Sequence, residues 1–207
     1  MVQSINLSGL KGVLSILFRP SLAVPHLVVD DISSLPFAKL KLAGFKAIAF
    51  DKDNTLTAPY ACGIHPPFQM AWERCLDTFG SENMVIVSNS AGSSDDRGHN
   101  EAKRIELELG VHVLRHTEKK PDGGQTLVSH FNCQAHEIVF VGDRLFTDVV
   151  YATRIGAFSV LTYKIITETN DNWFAKHIRR IEHRLLHALQ TLRFQSLPHK
   201  YQGQFNA

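Results

Sequence analysis

With 207 residues, 44% of them apolar and 20% charged, the chain has the makeup of a globular protein and is long enough for one substantial domain with appendages. A net charge of +2 gives no strong case for nucleic acid, and no nucleic-acid partner is expected. Cys62, Cys75 and Cys133 are too dispersed for a disulfide framework or a zinc site, which makes a reducing compartment the expectation.

The chain opens on an apolar segment, SINLSGLKGVLSILFRPSLAVPHLVV (4–29). Leu7, Leu10, Leu14, Leu17 and Phe18 recur there at helical spacing before Pro20 and Pro25 break the pattern. The segment lacks the basic start and small-residue cleavage site of a secretory signal. Three readings stay open: a helix docked on the domain, an interfacial membrane anchor, or a processed targeting segment. No apolar run reaches the roughly 18 residues of a spanning helix, so no transmembrane span is expected.

From Lys46 onward, short runs rich in Val and Ile alternate with helical patterns. AIAF (47–50), MVIV (84–87), VHVL (111–114), IVFV (138–141) and FSVL (158–161) predict parallel strands buried on both faces. PFQMAWERCLDTFG (67–80), DRGHNEAKRIELELG (96–110), GGQTLVSHFN (123–132) and LFTDVVYATRIG (145–156) predict the helices between them. In the second of these, Ala102, Ile105 and Leu109 share one face and Gly110 suits a C-cap. The alternation predicts an α/β fold, a doubly wound parallel sheet with helices on both faces. The expected organisation is an apolar N-terminal segment over 1–43, a catalytic domain over 44–165, and an amphipathic helix and tail over 166–207. In that helix, NDNWFAKHIRRIEHRLLHALQTLRF (170–194), Phe174, Ile178, Ile181, Leu185 and Leu189 line one face, while Arg179, Arg180, His183 and Arg184 populate the other. It either packs on the sheet or meets anionic lipid. His177, His183 and His187 read as surface residues, and SLPHKYQGQFNA (196–207) reads as a loose terminus.

In such sheets the chemistry gathers at the carboxyl ends of the strands. Asp51 and Asp53 follow the first run; Ser88, Asn89 and Ser90 follow the second. Arg115, His116, Lys119 and Lys120 follow the third, and Gly142, Asp143, Arg144 and Asp148 the fourth. Acids, a hydroxyl and a lysine converging on one rim suit phosphoryl transfer. An aspartate can attack phosphorus and form an acyl phosphate that water then cleaves. It is ionised at neutral pH and needs no base. Mg²⁺ offsets the repulsion between carboxylate and phosphate, and a second acid two residues on can protonate the leaving oxygen. A serine hydroxyl and backbone N–H groups hold phosphate oxygens, and a lysine offsets transition-state charge.

DKDNT (51–55) resembles the DxDxT signature of haloacid-dehalogenase-type (HAD) phosphatases. Ser88 after a strand, Lys120, and GDRLFTD (142–148) are similar to that superfamily's three other motifs, in order, over about residues 44–162. The resemblance implies Asp51 as nucleophile, Asp53 as general acid/base, Ser88 on the phosphate and Lys120 on the developing charge. It implies Mg²⁺ held by Asp51, the Asp53 carbonyl and Asp143, with Asp148 as a ligand or a support from behind. Lys120 is preferred over Lys119 because it precedes proline, as in the family's pattern. Asn89 is expected to bind substrate through its backbone N–H, with its side chain capping a turn. Arg144 either reaches a substrate headgroup or pairs with a nearby acid, and Thr55 braces the loop.

The wording is closer to one branch. VSNSAGSSDD (87–96), VLRHTEKKP (113–121), VGDRLFTDV (141–149) and the upstream LFRPSLAVPHLVVDDISSLPF (17–37) resemble mitochondrial and plastid phosphatidylglycerophosphatases, over about residues 5–165. That resemblance implies dephosphorylation of phosphatidylglycerophosphate to phosphatidylglycerol, on the route to cardiolipin. It also implies a peripheral protein on the matrix side of the mitochondrial inner membrane. Phe50 stands where the family has leucine. Between Asp53 and Ser88, and between Ser88 and Lys120, the chain has room for the helices and strands of the sheet and none for a cap domain. An open site suits a phosphate presented by a surface too large to enclose, here an anionic phospholipid in a bilayer. The alternatives are a capless phosphatase for a soluble ester or a phosphoprotein, and a non-catalytic scaffold. The sequence carries no signal for oligomeric state.

Overall fold

The structure is a computed structural model that describes residues 16–167 and 173–205, with the side chains of 173–176 outside the description. Leu7, Leu10 and Leu14, and the side chain of Phe174, therefore lie outside the described residues. Six strands form one parallel sheet: β1 (Leu27–Val29), β2 (Ala47–Phe50), β3 (Met84–Ile86), β4 (His112–Val113), β5 (Ile138–Gly142) and β6 (Phe158–Thr162). Their order is β1-β6-β5-β2-β3-β4, and every pair is parallel. The helices are α1 (Phe37–Ala43), α2 (Gln69–Phe79), α3 (Asn100–Leu109), α4 (Gly124–His130), α5 (Val150–Ile155) and α6 (Trp173–Thr191).

The apolar strand runs follow from burial on both faces. Ile48 and Phe50 of β2 face one layer with Phe37 and Leu40 of α1, Trp72 and Phe79 of α2, and Ile105 and Leu109 of α3. Ala47 and Ala49, one residue out of phase, face the other with Leu127 of α4 and Tyr151 of α5. The doubly wound α/β sheet is thus present. Between β2 and α2 lie only residues 51–68, a loop whose start is pinned by a bridge between Asp53 and Thr57, so no large cap interrupts the fold there. β2 sits between β5 and β3, and the chain departs from it in opposite directions on its two sides. That reversal opens a crevice at the carboxyl ends of β2 and β5.

Three features depart from the sequence reading. Leu27–Val29, within the apolar opening segment, is an edge strand in register with β6 (Leu27 opposite Val160). Only three residues long and close behind Pro25, it suits an edge position. The tail helix α6 buries Arg179, Glu182, Leu186 and Leu189, while Ile181 is 55% exposed. Its inner face is therefore rotated from the one predicted, and its apolar part packs with Ile16, Val24, Phe146, Val149 and Leu161. The terminus is docked as well: Tyr201 is buried edge-on to Phe45 at 4.8 Å, and the His199 ring lies 5.1 Å from Phe158.

Candidate active site

β2 delivers Asp51 to the centre of the rim. The Asp51 N–H donates to Val141 O at 2.8 Å, which extends the ladder one residue past the strand and fixes the carboxylate beside β5. The next side chain, Lys52, turns inward and is buried. Its Nζ donates to Asp53 Oδ1 and, at 2.9 Å, to Ala61 O. Asp53 Oδ1 also accepts the Tyr60 N–H at 3.1 Å. Crowding by protein pushes the Asp53 carboxyl above its ordinary range, against the pull of Lys52.

Across the crevice, Lys120 is fully buried, with Nζ 2.5 Å from Asp51 Oδ1 and 2.7 Å from Asp148 Oδ1. Burial alone would pull the ammonium down; the two carboxylates outweigh it and hold the group charged. Lys119 instead pairs with Asp95 at the surface. Asn89 grips the Lys120 backbone: its Oδ1 accepts the Lys120 N–H at 2.8 Å, and its Nδ2 donates to Lys120 O at 3.4 Å. Ser88 is buried, with its Oγ 3.1 Å from Ser90 Oγ. The His116 ring ties the loop after β4 to this corner, through Nε2 to Ser88 O at 2.8 Å and Nδ1 to Glu118 O at 2.6 Å. The loop between Ser88 and α3 is organised by Asp96, which accepts the N–H groups of Gly92, Glu101 and Ala102. Asp96 thereby satisfies donors at the start of α3.

β5 delivers Asp143, and a wide π-type turn over Leu145–Val149 brings Asp148 back over the strand end. Asp148 Oδ2 accepts the Arg144 N–H at 3.0 Å. Only glycine fits beneath it: a Cβ on Gly142 would lie 2.5 Å from the Asp148 side chain. Helix α6 closes this end. Arg179 donates Nε and Nη2 to Asp143 Oδ2 at 2.9 and 2.7 Å. Glu182 accepts the Phe146 N–H at 2.8 Å and the Arg144 Nε–H at 2.7 Å. The Arg144 side chain is thus joined to a neighbouring acid.

Asp51, Asp143 and Asp148 place carboxylate oxygens within 4.8 Å of one another. Burial pushes the carboxyls of Asp143 and Asp148 well above their ordinary value, with Arg179 and Lys120 pulling back. Asp148 Oδ1 forms an ion pair with the Lys120 ammonium at 2.7 Å. Three carboxylates crowded this closely, two of them buried, fit a small divalent cation that takes oxygen ligands. The Asp53 carboxylate lies outside this trio.

The structure therefore brings Asp51, Asp143 and Asp148 together, with Lys120 in contact with Asp51 and Asp148 and Asn89 behind Lys120. Lys52, Arg179 and Glu182 escaped the sequence reading. The cue for the last two is a basic and an acidic residue three apart on a helix, one turn face, matching the unpaired charges of the motif that precedes it.

Comparison with known proteins places the chain in a family. The family model for mitochondrial PGP phosphatase matches residues 7–167. The chain is 40% identical over 187 residues to the chloroplastic/mitochondrial phosphatidylglycerophosphate phosphatase 1 of Arabidopsis thaliana, covering 89% of this chain and 53% of the relative. It is 41% identical over 184 residues to the chloroplastic enzyme of Chlamydomonas reinhardtii (87% of this chain, 67% of the relative). It is 36% identical over 160 residues to the mitochondrial phosphatidylglycerophosphatase of Saccharomyces cerevisiae (75% and 85%). The chain thus spans about half the length of the Arabidopsis protein and most of the yeast one. No solved structure matches it significantly.

Proposed function

Because the chain belongs to the mitochondrial PGP phosphatase family, we propose that it is a Mg²⁺-dependent phosphoric monoester hydrolase that converts phosphatidylglycerophosphate to phosphatidylglycerol in cardiolipin biosynthesis. The observation that carries the reading is the contact of Asp51 with Lys120 at the carboxyl end of the central strand, inside a cluster of acids. Asp51 attacks the terminal phosphorus; an aspartyl-phosphate bond forms as the bond to the glycerol oxygen breaks. Asp53 donates a proton to that oxygen. Water then attacks the acyl phosphate, Asp53 takes the water proton, and inorganic phosphate leaves. Lys120 faces the charge that builds on the phosphoryl oxygens, and Ser88 and the Asn89 backbone N–H hold them. Asp51, Asp143 and the Asp53 carbonyl would hold Mg²⁺, with Asp148 beside them; the bound ion supplies neutralisation between the attacking carboxylate and the phosphate.

The substrate sits in a bilayer, and we place the protein on it as a peripheral protein, on the matrix side of the mitochondrial inner membrane. Two of the relatives are named as mitochondrial or chloroplastic/mitochondrial proteins, and among the described residues no helix is long and apolar enough to cross a membrane. The open rim supports a surface-presented phosphate. So do the bare apolar side chains of Leu17 and Phe18 beside Arg19, and the outward Arg180, Ile181 and Arg184 of α6.

The test is phosphate release from phosphatidylglycerophosphate in vesicles with Mg²⁺, beside a panel of soluble phosphate esters and an Asp51→Asn control. Strong preference for the lipid, lost in the control, is the expected result. Preference for a soluble ester would keep the chemistry and overturn the substrate.

A further inference from the structure

An amphipathic helix needs only apolar packing to dock, and α6 has that in Leu186 and Leu189. It nevertheless buries two charges, Arg179 and Glu182, each at the lip of the acid cluster. Buried ion pairs contribute little net stability, because desolvation consumes most of the Coulombic gain. Leucine or methionine at both positions would dock the helix as well. The contacts made are specific. Arg179 places two donors on one oxygen of Asp143, Oδ2. Glu182 spans the Phe146 N–H and the Arg144 side chain, and so pins the turn that carries Asp148. Asp148 is in turn fixed by the Arg144 N–H.

We propose that α6 is a working part of the active site, with Arg179 a positioning residue that holds Asp143 by Oδ2 and leaves Oδ1 for the cation. This rests on the metal-dependent reading of the site given above. A ligand carboxylate that is free to rotate binds a cation less well than one fixed by a partner behind it, an effect of about 10- to 100-fold in affinity where such partners are removed. The charge count also suits the role. With all three acids ionised around a bound cation, Lys120 and Arg179 leave the protein groups one net negative charge.

The experiment measures Mn²⁺ binding to the full chain from the free-ion electron paramagnetic resonance signal, and kcat and KM on a soluble aryl phosphate. It compares wild type, Arg179→Lys and Leu189→Ala. Lysine keeps the positive charge and loses the two-donor grip, so any change reports orientation and not repulsion. For Arg179→Lys the expected result is Mn²⁺ affinity lower by about tenfold and kcat lower by a similar factor, with KM within twofold and a melting temperature close to wild type. Leu189→Ala weakens the packing of the same helix and touches neither pair. It is expected to lower the melting temperature while Mn²⁺ affinity at low temperature stays within twofold. Wild-type Mn²⁺ affinity in Arg179→Lys, or an equal loss in Leu189→Ala, would overturn the proposal. A wild-type chain that takes up no Mn²⁺ would overturn the metal reading and this one together, and is recognised from the wild-type arm alone.

Discussion

Asp51 and Lys120, 69 positions apart in the chain, meet at 2.5 Å, and the same ammonium lies 2.7 Å from Asp148. One buried cation therefore serves two carboxylates, so the two partners respond differently to removal. Asp51→Asn removes one of three crowded acids and leaves Lys120 paired with Asp148. Turnover is expected to fall by a factor of about 10⁴ or more, with the melting temperature unchanged or raised. Lys120→Met strands the buried Asp148 carboxylate and the partly buried Asp51 one, and taking one partner from a buried pair costs about 3–5 kcal/mol, so this variant should lose stability as well as activity. Phosphate release and thermal melts on both proteins decide it. Appreciable turnover in Asp51→Asn would remove Asp51 as nucleophile.

Gly142 is required by the close approach of Asp148, since a Cβ there would meet the Asp148 side chain at 2.5 Å. Gly142→Ala should cost about 1–3 kcal/mol by overpacking. It should also push Asp148 off the strand end, and displacement of a reacting group by about 1 Å can lower turnover about a hundredfold. Kinetics and a melt on the same preparation test both. A fully active Gly142→Ala would mean that the position of Asp148 is immaterial to the chemistry.

Asn89 was expected at the substrate through its backbone N–H, and its side chain is occupied with Lys120. Asn89→Ala keeps that N–H and leaves the buried Lys120 N–H without an acceptor, at about 1–3 kcal/mol. The expected kinetic signature is a lower kcat with little change in KM, because the lysine is displaced while the phosphate contact survives. A raised KM at constant kcat would instead place the amide side chain on the substrate.

The sheet and the reacting side chains are legible in the sequence for a physical reason. A strand buried on both faces must be an apolar run, and the acids that end such runs fall on one rim. What escapes the sequence depends on contacts distant along the chain. β1 is three residues long, and its register is set by β6, far along the chain. Periodicity assigns Arg179 to the solvent face of α6, since charge is normally exposed; its pairing with Asp143 helps make its burial tolerable. The docked terminus is of the same kind. SLPHKYQGQFNA is polar enough to read as loose, yet Tyr201 and His199 find a slot against Phe45 and Phe158 that exists only once the sheet and α1 are assembled.

That slot makes the terminus sensitive to acid. His26 Nδ1 accepts the Ser159 N–H at 3.0 Å, which puts the ring proton on Nε2, where it donates to Leu197 O at 3.0 Å. The ring is therefore held neutral, and burial pulls His26 below its ordinary value. Burial, with help from His26 and His136, also lowers His199, to about 4. A histidine depressed in the docked state contributes stability that is complete above its free value, about 6.5, and is lost as pH falls toward the docked value, because the released segment takes up a proton that the docked one refuses. Residues 195–205 should therefore loosen between pH 6.5 and about pH 4, while the sheet holds. Hydrogen exchange, corrected for the intrinsic rate at each pH, is expected to show protection lost first in this segment on acidification. His199→Phe keeps a ring in the slot and removes one titrating group, so it should shift the loss to lower pH. Unchanged pH dependence in His199→Phe would assign the acid sensitivity to His26 alone, and constant protection down to pH 4.5 would show that neither ring resists protonation when docked.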